Sequence, residues 1–338
     1  MTGADQGYDG SLVPGEAPAI PAQFDREYVV PVSFGGQTLR MDLDTGSSDL
    51  EHVVGCSWRI LKLYEIATHN DILPSWVFST LLSAASQIGH YVYDKTKSST
   101  FKDLPGLTFQ IIYGDGSSAS GVVGTETVNV GGIAVKDQSI ELATVVSGGF
   151  VQDTNSDGLL GMGFNTINQV KPVKQKTFLD NALPQLALPV FTADLKHSLP
   201  GTYDFGFIDP KKHKGNITFV PIVGSVGFWS FNVTGHGVGN SFNAQPSLGV
   251  ADTGTTLLLL ESAVVASYYA AVPGSAFDAN QGGFTFPCKT QLPSFTVGIG
   301  SHKAVISGSL MNFVPIASTG SMSPPPLSHP VRLGRTVG

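Results

Sequence analysis

The chain has 338 residues, 41% hydrophobic and 13% charged, enough for about two domains with their own cores and too long for a small disulfide-stapled scaffold. Twenty-six acidic against 19 basic residues give a net charge of −7, which excludes the cationic face that nucleic-acid binding requires. The longest apolar runs, such as Leu257 to Leu260, fall far short of the roughly 18 residues of a membrane-spanning helix.

From Met1 to Ile20 no basic start leads into an apolar stretch, so no signal peptide is read in the chain as written. Beyond it, short apolar–polar alternation broken by Gly-Gly, Asp-Gly and Pro predicts an antiparallel, mostly β protein. Tyr28 to Phe34, Gly35-Gly36 and Thr38 to Leu43 form one predicted hairpin. Leu107 to Tyr113, Gly114-Asp115-Gly116 and Gly121 to Val130 form a second, and Gly131-Gly132 opens a third. Two helices are predicted, a short one over Thr177 to Leu186 and a longer one over Glu261 to Val272.

One internal repeat stands out. Asp44-Thr45-Gly46-Ser47-Ser48 recurs as Asp252-Thr253-Gly254-Thr255-Thr256, each pentad followed by Leu within two positions. An aspartate on a loop, followed by Thr and Gly, has a chemical logic. Glycine lets backbone N–H groups approach the carboxylate, and the Ser or Thr hydroxyl supplies another donor. Two such loops brought together would set two carboxylates side by side, where one proton is shared. Such a pair can take a proton from an attacking water and deliver one to a departing nitrogen, with neither metal nor covalent intermediate. The dyad of that kind is the standard example of a shared-proton pair, so its titration is not a result of this sequence. Other chemistries lack their signatures: no His-Glu-x-x-His, no other dense metal cluster and no Gly-x-Ser-x-Gly elbow occur.

The paired motifs, Tyr113-Gly114-Asp115-Gly116 and Asp157-Gly158-Leu159-Leu160-Gly161-Met162-Gly163 together resemble the pepsin-family aspartic endopeptidases. The stretch from Thr177 through Tyr203-Asp204-Phe205-Gly206 and Gly227-Phe228-Trp229-Ser230-Phe231 to Leu260 resembles their secreted fungal branch. The resemblance implies a bilobal fold with an extended peptide substrate between the lobes. It implies Asp44 and Asp252 as the catalytic pair, supported by Thr45, Gly46, Ser47, Thr253, Gly254 and Thr255. Ser47 and Thr255 would orient the carboxylates and the two threonines would tie the loops together. Tyr113, Gly114 and Asp115 would form the flap, with the Tyr113 phenol leaning toward Trp76. An acidic Asp115, with Asp42 adding a second charge nearby, would favour cleavage after Lys beside large apolar residues. The resemblance further implies a secreted monomer made as a zymogen, with no cofactor, no metal, and neither nucleic acid nor membrane as partner.

Several features depart from that family. The implied domains are an N-terminal extension or propeptide remnant at 1–21, a first lobe at 22–190, a shortened second lobe at 191–320 and an aberrant tail at 321–338. Glu51 to Ser75 is a block the family lacks; removing it joins Asp49-Leu50 to Trp76-Val77-Phe78, as excision of a retained intron would, and its presence is expected to threaten the position of Trp76. After Gly320 no apolar strand pattern is read, so the second lobe is expected to be incomplete. Cys288 resembles the first cysteine of the family's disulfide without its partner, so Cys56 and Cys288 are expected to be free thiols. Asn216-Ile217-Thr218 and Asn232-Val233-Thr234 are candidate glycosylation acceptors. The rival expectation is a catalytically impaired remnant that at most binds peptides.

Overall fold

The computed structural model describes residues 14–47, 62–63, 75–113, 115–224, 227–313 and 328–331. Most of Glu51 to Ser75, Cys56 and most of the tail lie outside these residues, as does Gly114. The chain is mostly β with the bilobal pepsin-like organisation.

The first sheet has ten strands. At its centre the predicted hairpin forms from Tyr28–Phe34 and Gln37–Asp44, registered Phe34↔Gln37 through Val29↔Asp42. Gly35 and Gly36 both take positive φ, 54° and 85°, which a tight two-residue turn demands and glycine adopts without a Cβ clash. The second and third hairpins join Lys102–Ile112, Ser118–Val130 and Ile133–Val146. They are longer than the predicted runs because ladder pairing continues through the polar positions Lys102 and Asp103.

Gly15–Pro21 is a strand paired to Leu199–Phe205 and to the start of Tyr28–Phe34. Its alternation buries Ala17 and Ala19 completely, small side chains that let the strand lie close against the core. Likewise Phe191–Lys196 and Leu199–Phe205, assigned to the second lobe, extend the first sheet. Tyr203 and Phe205 point from that hairpin into the core built on Val30, Val32, Leu39, Met41 and Phe178, and this burial decides where it docks. The Tyr203 hydroxyl donates to the Leu43 carbonyl at 3.0 Å with the side chain fully buried. Tyr203→Phe should cost about 1 kcal/mol, the worth of one net hydrogen bond, read as a shift in denaturation midpoint without a change in slope.

A helix the sequence did not signal, α1, spans Gly148–Gln152, and the predicted short helix forms as α2, Phe178–Ala182, followed by a 3-10 turn at Leu183–Gln185. Thr177 caps α2 in a capping box with Asp180. The longer helix, α3, spans Ser262–Ala270 and buries Val264, Val265, Tyr268 and Tyr269 on one side. These four join Phe286, Phe295 and Val297 in the second core.

The second lobe carries a six-stranded sheet, with His302–Ile306, Phe295–Ile299, Ser230–Val238 and Ser247–Val250 as neighbours. Lys62–Leu63 pairs its backbone with Gly249 and Val250. Ser328–Val331 forms a strand against Gly283–Pro287, where no strand was expected after Gly320. A ladder needs backbone pairing rather than an apolar alternation, and Pro330 is tolerated at such a sheet edge. Trp76 is not displaced: Trp76–Val77 pairs with both Gly158–Gly161 and Ile133–Val146, and its indole is fully buried. Cys288 is a free cysteine.

Candidate active site

The Gln37–Asp44 strand lies parallel to Gly158–Gly161, in register Asp42↔Leu159 to Asp44↔Gly161. The Met162 N–H donates to the Asp44 carbonyl at 2.7 Å. A part-buried ion pair fixes this register: the buried Asp157 carboxylate accepts from Arg40 N at 2.9 Å, Nε at 2.9 Å and Nη2 at 2.6 Å. Ser247–Val250 delivers the second loop.

The two Asp-Thr-Gly loops meet face to face. The Thr45 N–H donates to Thr253 Oγ1 at 3.0 Å, and the Thr253 N–H donates to Thr45 Oγ1 at 2.9 Å. Each hydroxyl then donates across the junction, Thr45 to the Ala251 carbonyl at 2.9 Å and Thr253 to the Leu43 carbonyl at 2.6 Å. Both threonines therefore use donor and acceptor capacity at once, which locks the loops in one mutual position.

Asp44 and Asp252 are buried and their side chains reach hydrogen-bonding distance of one another. Asp44 Oδ1 accepts from the Gly46 and Ser47 N–H groups, both at 2.8 Å. Asp252 Oδ1 accepts from the Gly254 N–H at 3.0 Å, and the Thr255 hydroxyl donates to Oδ2. Burial and the facing Asp252 push the Asp44 carboxyl up to about 7, while bonds from Ser47 oppose the rise. A protonated carboxyl thus faces a second carboxyl whose neighbours are donors.

Above the pair, Trp76 Nε1 donates to the Tyr113 hydroxyl at 2.7 Å, and both rings pack edge-on against Phe150 at 4.8 and 5.3 Å between centroids. The hairpin tip closes through Gly116 N–H to the Tyr113 carbonyl at 2.9 Å, and the Asp115 carboxylate accepts from the Ser117 N–H at 2.7 Å. Between tip and pair lies a cleft of about 540 Å³ whose lining includes Trp76, Tyr113, Asp115, Asp44 and Asp252. Among the described residues no cluster of His, Cys, Asp and Glu could hold a metal.

The cleft also contains residues the sequence reading did not single out. Glu27 is one: it immediately precedes the Tyr28–Phe34 strand and lines the cleft. Burial and the neighbouring Asp153 push the Glu27 carboxyl up to about 8. Asp153 and Arg26 also line the cleft, and nothing local announced them. Asp42 departs from expectation. Burial, then Asp44, raises its carboxyl well above the usual range, so it is protonated in acid and brings no charge there.

These raised carboxyls make stability depend on pH. Glu27, Asp42 and Glu141, the last buried without a hydrogen-bond partner, hold protons in the folded chain after the unfolded chain has released them near pH 4 to 4.5. Below that pH both states are protonated and no penalty exists. As pH rises toward about 8 the unfolded state is increasingly favoured. Tm should therefore be highest in acid and fall toward neutrality, and Glu141→Gln should flatten part of the fall; a Tm that rises from acid to neutral pH would contradict this.

Two face-to-face Asp-Thr-Gly loops at the junction of two β lobes, under a hairpin tip, define a pepsin-like acid hydrolase fold. The eukaryotic aspartyl protease family matches residues 27–323. Aspergillopepsin-1 of Aspergillus fumigatus is 45% identical over 308 residues, covering 91% of this chain and 71% of its own. Penicillopepsin-1 of Penicillium janthinellum is 46% identical over 301 residues, covering 89% and 84%. Endothiapepsin of Cryphonectria parasitica is 45% identical over 313 residues, covering 91% and 68%. The chain belongs to the eukaryotic aspartyl protease family, whose function is aspartic endopeptidase hydrolysis of peptide bonds.

Proposed function

We propose that this chain hydrolyses peptide bonds in acid through Asp44 and Asp252, and the observation that carries the reading is the reciprocal bonding of Thr45 and Thr253 that holds the two carboxyls together. One carboxyl is protonated and the other ionised. The ionised group takes a proton from a water as that water attacks the peptide carbonyl, and the protonated group supplies the proton that the departing nitrogen needs. Gly46, Ser47, Gly254 and Thr255 hold the carboxyls through their donors. Tyr113, Gly114 and Asp115, backed by Trp76, close over an extended peptide. The two lobes meet at the paired loops, with residues 22–190 as the main body of the first and 191–320 of the second, subject to the hairpin exchange described above. We also propose that the chain acts as a secreted monomer made as a zymogen; among the described residues no helix is long and apolar enough to cross a membrane.

Asp115 gives the flap a preference. Replacing it by Ser or Asn should depress cleavage after Lys several-fold more than cleavage after Phe, in line with the loss of one charge-assisted contact. Equal loss on both substrates would remove the idea.

A second reading, a weakly active peptide binder, is favoured by one asymmetry. Asp44 has the parallel Gly158–Gly161 strand beside it, whereas the strand leading to Asp252 has antiparallel Lys62–Leu63 in the neighbouring place among the described residues. Digestion of denatured haemoglobin in acid separates the two readings. The chain would be run as written and without Glu51 to Ser75, with and without an aspartic-protease transition-state inhibitor, and beside Asp44→Asn. Inhibitable digestion by the chain as written supports the endopeptidase; digestion only after removal of the block assigns the impairment to that segment.

A further inference from the structure

The turn before the first active-site hairpin is built unusually. Phe24 and Asp25 are consecutive side-chain-bearing residues in left-handed backbone, with φ of 62° and 50°, a conformation that persists only where the surroundings hold it. The holding groups are visible. The Asp25 carboxylate, buried, accepts from the Ser198 N–H at 2.9 and 3.1 Å and meets His197 Nδ1 at 2.5 Å. One residue on, the Arg26 carbonyl accepts from the Thr256 hydroxyl at 2.5 Å, on the loop that carries Asp252. Arg26 is therefore pinned from the Phe191–Phe205 hairpin on one side and from the second Asp-Thr-Gly loop on the other.

Its side chain is exposed and its guanidinium sits 5.9 Å from the centre of the Phe24 ring, within cation–π range. Arg26 lines the cleft, and it is the only basic side chain among the described residues that do so; the charged remainder is acidic. Three acidic groups line the same cleft: Glu27 follows Arg26 in the chain, Asp153 bonds Glu27, and Asp42 interacts with Glu27 and Asp44. Glu27 and Asp42 keep their protons in acid, whereas a guanidinium stays charged. In acid, then, Glu27 and Asp42 do not cancel the Arg26 charge, and the bonds at Asp25 and the Arg26 carbonyl fix the backbone from which that side chain extends.

We propose that Arg26 is a specificity-determining residue that recognises a carboxylate of the bound peptide, so that glutamate or aspartate at one substrate position promotes cleavage. This rests on the endopeptidase reading given above. Without Arg26 an acidic side chain entering the cleft would meet only acidic neighbours; with it, one position gains a planar, preorganised fork suited to carboxylate.

The test uses the full chain and peptides that differ only in Glu or Gln at each position around one cleavable bond. At about pH 5.5, where a peptide glutamate is ionised, one position should show a Glu-to-Gln ratio in kcat/KM of about five, the scale of a partly exposed charge pair. The ratio should fall toward one at about pH 3, where that glutamate is protonated. Arg26→Gln should abolish the ratio, Arg26→Lys, which keeps the charge without the fork, should retain only part of it, and Arg26→Glu should invert it and favour Lys at the same position. Anisotropy binding of uncleavable analogues reads the same ratio in Kd without turnover. A ratio unchanged by Arg26→Glu at every position, with the Gln peptide still cut and silenced by Asp252→Asn, overturns the role of Arg26 alone. Failure of every peptide to be cut or bound overturns both this role and the reading beneath it.

Discussion

Asparagine in place of Asp252 should lower kcat/KM for a peptide substrate by about a thousandfold or more, the scale of lost general acid–base catalysis. The substitution keeps the shape of the side chain: its amide oxygen can still accept from the Gly254 N–H, and its NH2, in the place of Oδ2, can donate to the Thr255 hydroxyl oxygen, so the fold should persist. What it loses is the ability to ionise. Asp44→Asn should be equally silent, because hydrolysis needs one proton held between two carboxyls and neither substituted pair can hold it in both places. The wild-type pH profile follows from the same proton. The Asp44 carboxyl, raised to about 7 by burial and by Asp252, is protonated below that pH and loses its proton above it. Activity should therefore decline as pH rises through about 7. Circular dichroism beside the kinetics distinguishes a silent but folded Asp252→Asn chain, as expected, from one that has unfolded. A folded variant with near-normal turnover would remove Asp252 from the mechanism.

Alanine at Gly254 should cost about a hundredfold in kcat/KM, the penalty of a reacting group displaced by roughly an ångström. A Cβ built there would stand 2.2 Å from Asp44 Cγ, and its counterpart at Gly46 would stand 2.0 Å from Asp252 Cγ. Neither glycine has a positive φ, so alanine would be acceptable to the backbone. The objection is steric and falls directly on the opposite carboxyl. The reciprocity of the two distances makes a further point: each loop's glycine vacates the volume that the other loop's aspartate occupies. Gly46→Ala should behave the same way. Normal activity in either variant would show that the carboxyls need not approach as closely as they do here.

How much of this was legible beforehand varies with the physics. Hairpins were legible because their turns need glycine and their strands need alternation, both local requirements. The repeated Asp-Thr-Gly motif was legible because two matching pentads are improbable by chance, and its chemistry follows from residue type. The two helices at Phe178–Ala182 and Ser262–Ala270 were legible in position, each within a longer predicted run. The lobe boundaries could not: whether Gly15–Pro21 and Phe191–Phe205 belong to the first sheet depends on ladder partners more than a hundred residues away, such as Gly15 with Phe205. A strand at Ser328–Val331 escaped notice because its pairing with Gly283–Pro287 uses backbone groups that every sequence supplies.

Within the cleft the same division holds. Residue identity alone dictated that two carboxyls flanked by glycine and hydroxyl donors were available for proton transfer. The protonation of those groups belongs to the folded chain: burial raises Asp42, Asp44 and Glu27, and solvent exclusion has no local signature. Arg26 shows the same limit, since its place on the cleft depends on anchors at Ser198 and Thr256 that are close only after folding. Chain chemistry is local and can be read in order, whereas dielectric environment and long-range contact arise when distant segments exclude water together.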